Sequence, residues 1–230
     1  YNRKDLHPSG LQLWLVDIDG QQDREIMNVG ADKKVLAHWF PDGQRILLRA
    51  ETDTHYKIGV YELGTGSVRW LIDDPDRNFE NAFIPCGSVQ AVLQEVREAG
   101  IHASLLNPDT GEEYHLPPLT GNLLPLAPVS GEAWVGMYYA SRQITDLVRY
   151  SLLNFKPDSF QSLTRVKEHS LIGPSQLAQA ESYRWKSVDG MEIQGWLYRA
   201  AAPTKGTIVY VHGGPTWHHE DRFYEEIQFF

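Results

Sequence analysis

Val35-Leu36-Ala37-His38-Trp39-Phe40-Pro41-Asp42-Gly43-Gln44-Arg45-Ile46-Leu47-Leu48-Arg49 reads as a β-prone run, a tight Pro-Asp-Gly turn and a second β-prone run. A polar loop through Glu51, Asp53 and His55 follows. Lys57-Ile58-Gly59-Val60-Tyr61 is a third strand, Gly64-Thr65-Gly66 reverses the chain, and Val68-Arg69-Trp70-Leu71-Ile72 is a fourth. Four short strands punctuated by Gly, Pro and Asp describe one four-stranded antiparallel unit.

The unit repeats. Phe40-Pro41-Asp42-Gly43 recurs as Ile84-Pro85-Cys86-Gly87 and, more loosely, as Ala127-Pro128-Val129-Ser130-Gly131, with the glycines 44 residues apart both times. A second marker keeps step: Gly64-Thr65-Gly66 matches Asp109-Thr110-Gly111, and Asp19-Gly20 stands one period earlier. A period of this length is that of a β-propeller blade. The second unit is expected over about 80–116, with Val89 to Val96 as a long inner strand. The third is expected over about 123–163, with strands at Trp134–Ala140 and Asp146–Tyr150. Leu11 to Ile18 reads as the tail of an earlier blade. The expected fold class is mainly β: three full blades and part of another, followed by the start of an α/β domain. A β-sandwich with accidental markers is the alternative. Closed propellers have about four to eight blades, and an open stack leaves edge strands unpaired, so further blades are expected on the N-terminal side. Trp14, Trp39, Trp70 and Trp134 recur within the units and are expected in the packing between blades.

Of the 230 residues 42% are hydrophobic and 22% charged, enough to build a core. The formal net charge of −9 comes without any basic run, which argues against a nucleic-acid partner. Cys86 is the single cysteine, so an intrachain disulfide is excluded. No apolar stretch approaches the roughly 18 residues of a membrane helix. The chain opens on Tyr1-Asn2-Arg3-Lys4 and closes on Ile227-Gln228-Phe229-Phe230, so it reads as part of a longer protein. Its compartment is open, with the cytoplasm favoured over the periplasm or secretion.

The pattern changes after Leu163. Residues 166–181 read as a crossover between a propeller domain at 1–165 and a second domain at 182–230. Gly173-Pro174 marks a loop there, and Ser175 to Ala180 a short helical turn. Tyr183–Val188 and Glu192–Tyr198 flank Asp189-Gly190, a tight-hairpin signal. Thr207-Ile208-Val209-Tyr210-Val211 is a continuous apolar run, the kind buried in a parallel sheet. Phe223, Ile227 and Phe230 have helical spacing, so a helix is expected from Glu220.

A blade repeat followed by Ser187-Val188-Asp189-Gly190-Met191-Glu192-Ile193-Gln194-Gly195-Trp196-Leu197 and by Gly206-Thr207-Ile208-Val209-Tyr210-Val211-His212-Gly213-Gly214-Pro215 resembles the prolyl oligopeptidase family of serine peptidases, in its acylaminoacyl-peptidase and bacterial dipeptidyl-peptidase branches. The resemblance implies a propeller capping an α/β-hydrolase domain. It also implies hydrolysis of short peptides by a Ser-His-Asp triad, without a metal or organic cofactor. His212, Gly213, Gly214 and Pro215 would form an oxyanion-hole segment, with the Gly214 backbone N–H as donor and Pro215 ending the strand. No Gly-x-Ser-x-Gly occurs in the 230 residues; the nearest approach, Gly173-Pro174-Ser175-Gln176-Leu177, lacks the final glycine. The triad is therefore expected beyond Phe230, and this stretch alone is expected to be inactive.

Other clusters read more simply. His218-His219-Glu220-Asp221 is adjacent in sequence, so its side chains diverge, and it is taken as a loop with an acidic helix start rather than a metal site. Glu225-Glu226 follows His-Gly-Gly-Pro and does not match the paired glutamates that dipeptidyl peptidases carry in the propeller. Asp73, Asp74 and Asp76 read as a solvated turn, and Arg142 as a loop residue that could face a central cavity. Two other readings remain: a carboxylesterase-type hydrolase, and a non-enzymatic propeller scaffold that would leave 182–230 unexplained.

Overall fold

A computed structural model describes residues 10–230 apart from 153, 157–158, 201, 203–204 and 215–216. Pro215, expected to end a strand, is outside the described residues. The chain forms two compact units, Tyr1–Glu95 with Ser104–His115, and Val96–Ala103 with Leu116–Phe230.

In the first unit β1 (Leu13–Leu15) and β2 (Arg24–Met27) pair antiparallel. Then β3 (Val35–Trp39), β4 (Arg45–Glu51), β5 (Tyr56–Glu62) and β6 (Ser67–Ile72) form a four-stranded antiparallel meander. The next sheet has the same order: β7 (Phe79–Phe83), β8 (Ala91–Arg97), β9 (Gly100–Leu106) and β10 (Glu113–His115). Successive side chains on a strand face opposite ways, and here both faces are covered. Leu47, Ile58 and Val60 pack with Phe79, Ala82, Leu93 and Leu106. Ile46, Leu48, Ala50 and Tyr61 pack the other way, against Leu13, Ile26 and Met27. Burial on both faces is why Ile46-Leu47-Leu48 is an unbroken apolar run rather than an alternating one.

The turn markers have a common cause. Gly43, Gly87 and Gly131 have φ of 64°, 76° and 56°; Gly20, Gly66 and Gly111 have 78°, 66° and 77°. All six lie in the left-handed region, where a Cβ is strained. Asp42 secures its turn by accepting from the N–H groups of Gln44 (2.8 Å) and Arg45 (3.1 Å).

One ionic knot crosses the second meander. Arg77 donates from Nε and Nη2 to Glu95 Oε2 (3.0 and 2.7 Å) and from Nη1 and Nη2 to the two Glu113 oxygens (2.8 Å each). Ser104 also donates to Glu113.

In the second unit β11 (Asn122–Ser130), β12 (Ala133–Ala140), β13 (Gln143–Ser151) and β14 (Gln161–Ser162) make a third four-stranded meander. Pro125 and Pro128 lie on its edge strand, where a missing N–H is tolerated. Helix α1 (Val166–His169) and a single 3-10 turn, Pro174–Gln176, lead to the hairpin of β15 (Ala180–Lys186) and β16 (Glu192–Tyr198); α2 (Glu225–Phe229) follows. The fold is thus mainly β, a succession of antiparallel meanders matching a propeller fragment.

Several expectations are corrected. Thr207–Val211 is not a strand: it has no sheet partner among the described residues, and Ile208, Val209 and Val211 are 66%, 82% and 82% exposed. A buried parallel strand needs a neighbour on each side, and none is offered here. The helix starts at Glu225, not Glu220. The Asp189-Gly190 turn is wider than a two-residue hairpin, with Gly190 N–H bonded to Ser187 O and Ser187 N–H to Met191 O. Trp134 is buried at 4%, but Trp39 and Trp70 are 50% and 39% exposed, so they are not sealed in the packing.

Candidate functional site

Every chemically suggestive residue of the sequence motif lies in the second unit, on the connection between β16 and α2. His212 Nδ1 is 2.6 Å from the Gly213 carbonyl oxygen. A carbonyl only accepts, so Nδ1 carries the proton and donates. The Gly213 carbonyl and the Gly214 N–H belong to one planar trans peptide and point in opposite directions. Holding the carbonyl against His212 therefore turns the Gly214 N–H away from the imidazole. Among the described residues neither the Gly213 nor the Gly214 N–H has an acceptor, and both glycines are exposed. A Cβ on Gly213 would meet nothing within 4 Å.

Beside this peptide stands an aromatic stack that sequence reasoning missed. The His219 ring stacks with Tyr210 (centroids 5.4 Å, 25°) and with Tyr224 (4.7 Å, 20°). His212 is tilted against it at 5.8 Å. Burial lowers the His219 pKa, and His212 and His218 push the same way, while Glu226 opposes them. The stack thus holds His219 as a neutral aromatic surface near neutral pH. Its carbonyl accepts from Trp196 Nε1 at 2.7 Å. The sequence signals nothing of this, because the partners come from β16, the motif and the approach to α2.

The neighbouring candidates go separate ways. Of His218-His219-Glu220-Asp221, His219 enters the stack and His218 Nε2 is 3.6 Å from Glu220 Oε1. Glu220 accepts from the Tyr139 hydroxyl (2.5 Å), and Asp221 accepts from Ser141 N–H (2.7 Å). Glu220 and Asp221 therefore serve side-chain and backbone donors of the third meander, not a helix start. Glu225 and Glu226 form the first turn of α2. Arg142 donates to the Pro174 carbonyl at 2.6 Å. Ser175 is exposed in the 3-10 turn, and Cys86 is an exposed free thiol. Asp73 is exposed and accepts from His55 Nε2 (2.7 Å) and Lys57 Nζ (2.6 Å). An open cleft of about 200 Å³ is lined by the Arg97–Ala103 turn, residues 116–123, Trp196 and Asp221.

No helix among the described residues is long and apolar enough to cross a membrane. No protein-family model matches the chain, and no curated protein matches it at the sequence level. Solved structures do. An acylaminoacyl peptidase from Pyrococcus horikoshii superposes with a TM-score of 0.66 at 21% identity, over 94% of this chain and 33% of its own. A puromycin hydrolase gives 0.65 at 17% identity, over 90% and 33%. A structure from a study of two prolyl endopeptidases gives 0.72 at 12%, over 94% and 32%. The chain thus spans about a third of the length of the structures it matches. These neighbours are all prolyl oligopeptidase family members, and at such identities what the chain shares with them is their fold.

Proposed function

We propose that the chain is part of a serine-type peptidase that hydrolyses short peptides. In this reading residues 1–165 belong to a propeller that restricts access, 166–181 connect, and 182–230 open the hydrolase domain. His212-Gly213-Gly214-Pro215 is the oxyanion segment. The fold shared with known peptidases supports the class. One observation carries the site: the N–H of the exposed Gly214 lacks an acceptor among the described residues and lies in a peptide plane set by the 2.6 Å bond from His212.

The chemistry follows from that plane. Attack on a peptide carbonyl places negative charge on its oxygen. A preformed N–H aimed at that oxygen stabilises the transition state without reorganising, commonly by about 3–4 kcal/mol per donor. The second donor and the Ser-His-Asp triad are assigned to residues beyond Phe230, and no metal or organic cofactor is called for. The test is Gly214→Pro in the whole protein, which removes the N–H. The kcat for a short peptide should fall about 10²- to 10³-fold, with KM little changed. An unchanged kcat would remove Gly214 from the reaction.

A further inference from the structure

His219, Glu220, Asp221 and Arg222, downstream of the motif, are held from several directions. Asp221 is buried, and its carboxylate accepts from Ser141 N–H at 2.7 Å, at the tip of the β12–β13 hairpin. Its carbonyl accepts from Asn122 Nδ2 at 2.9 Å, while Asn122 Oδ1 accepts from Ile101 N–H at 2.8 Å. Glu220 takes the Tyr139 hydroxyl, the His219 carbonyl takes the Trp196 indole, and the Arg222 carbonyl takes the Tyr198 hydroxyl at 3.3 Å. Ser141 is fully buried, and its other groups are used as well. Its hydroxyl accepts from Ala180 N–H (2.9 Å) and its carbonyl from Gln228 Nε2 (3.0 Å). A buried N–H in such a turn must be paired, and Asp221 is what pairs it.

From this anchor the restraint passes back to the glycines through rings in contact. Asp221 and its neighbours fix His219, His219 stacks on Tyr210 and leans on His212, and His212 holds the Gly213 carbonyl. We propose that Asp221 is a positioning residue for the Gly214 N–H, so that the β12–β13 hairpin tip sets the direction of the donor. This rests on the reading of Gly214 as an oxyanion donor. Asp221 touches no reacting atom; it acts through His219 and His212. It lies in a loop four residues before α2, so a helix-dipole role does not account for it.

The experiment compares Asp221→Ala, Asp221→Asn and Tyr139→Phe by 15N relaxation of the Gly213 and Gly214 amides in the 230-residue chain, and by turnover of a short peptide in the whole protein. Asp221→Ala should lower the order parameters of both glycine amides and reduce kcat about tenfold while KM moves less than about twofold. Asp221→Asn keeps an acceptor oxygen for Ser141 N–H and should restore both readouts. Glycine amides that do not respond to Asp221→Ala, or equal defects in Ala and Asn, overturn the proposal. Should Asp221→Ala not fold, Tyr139→Phe loses one hydroxyl without leaving a cavity and must still move the Gly213 and Gly214 resonances; unmoved resonances overturn it equally. A whole protein with no peptide turnover would end the peptidase reading alone, because the relaxation arm reads the anchor without reference to catalysis.

Discussion

Replacing Arg77 by Met tests the ionic knot of the first unit. The Arg77, Glu95 and Glu113 side chains are only 18%, 7% and 13% exposed, and the guanidinium makes four hydrogen bonds to the two carboxylates. Met keeps most of the aliphatic stem but leaves two poorly solvated carboxylates facing each other, with the Ser104 hydroxyl and the His115 ring, 3.6 Å away, still beside Glu113. Removing one member of a buried ion pair costs about 3–5 kcal/mol. The cation over the Phe79 ring, 4.6 Å from its centroid, is lost as well. We expect about 3–4 kcal/mol of destabilisation at pH 7. The pH dependence is the sharper test. Burial pushes the Glu113 carboxyl up, but the bonds from Arg77 and Ser104, the Arg77 charge and the nearby His115 outweigh it and hold its pKa below the ordinary value. The wild-type chain therefore has this contribution in full above the unfolded carboxylate pKa and loses it as pH falls through the lower folded value. Without Arg77, burial dominates and Glu113 moves above its ordinary value. The variant then loses stability as pH rises from the unfolded pKa to that raised one. Both effects narrow the gap between wild type and variant on acidification. Each unit separating the two folded-state pKa values is worth about 1.4 kcal/mol. Urea unfolding followed by circular dichroism at pH 7, 5.5 and 4 reads the gap directly. We expect it to shrink by about 1.4 kcal/mol or more between pH 7 and pH 4. A gap that stays constant or widens refutes the assignment of Arg77 as the charge that holds Glu113 ionised.

Two glycines with positive φ separate backbone strain from crowding. Gly43→Ala faces open space at φ 64° and should cost about 1–2 kcal/mol in thermal or urea unfolding. At Gly121, with φ 82°, a Cβ would stand 2.4 Å from the Tyr139 carbonyl oxygen, so Ala should cost about 2–5 kcal/mol; equal costs would show that crowding is not felt. Phe79 is fully buried between the first two meanders, and Phe79→Ala should cost about 3–5 kcal/mol by urea titration, a smaller loss showing that the two sheets close over the gap. A fluorophosphonate probe should leave the 230-residue chain unlabelled, and a labelled serine would show that a nucleophile lies within it.

What the sequence revealed divides along a physical line. The repeat was legible because its marker glycines are the positions where the backbone demands φ above zero, and such a demand is local. The inner strands were legible because burial on both faces forces an unbroken apolar run such as Ile46-Leu47-Leu48. The same logic misread Thr207–Val211. An apolar β-prone run states that a segment can enter a sheet, whereas being in one depends on neighbours elsewhere in the chain. Arg77 with Glu113, and Ser141 with Asp221, were invisible, since partners 36 and 80 residues apart leave no periodicity to read.

The candidate site shows both kinds of information acting on one peptide. His212 and Gly213 are neighbours, so the bond that orients the Gly214 N–H is written into three consecutive residues. That bond fixes the donor only relative to the imidazole. In the proposed anchor, where the imidazole stands is set by His219, bonded to Trp196, and by Asp221, bonded to Ser141 and Asn122. A backbone donor stabilises charge only within about 3 Å of the place where that charge forms. On the proposed reading a His-Gly-Gly triplet is therefore necessary but not sufficient. Transplanted onto a connection without the Trp196 and Ser141 anchors, it would keep the peptide plane and lose the aim. The functional content of the motif then resides as much in a β-hairpin tip 80 residues away from Asp221 as in the glycines themselves.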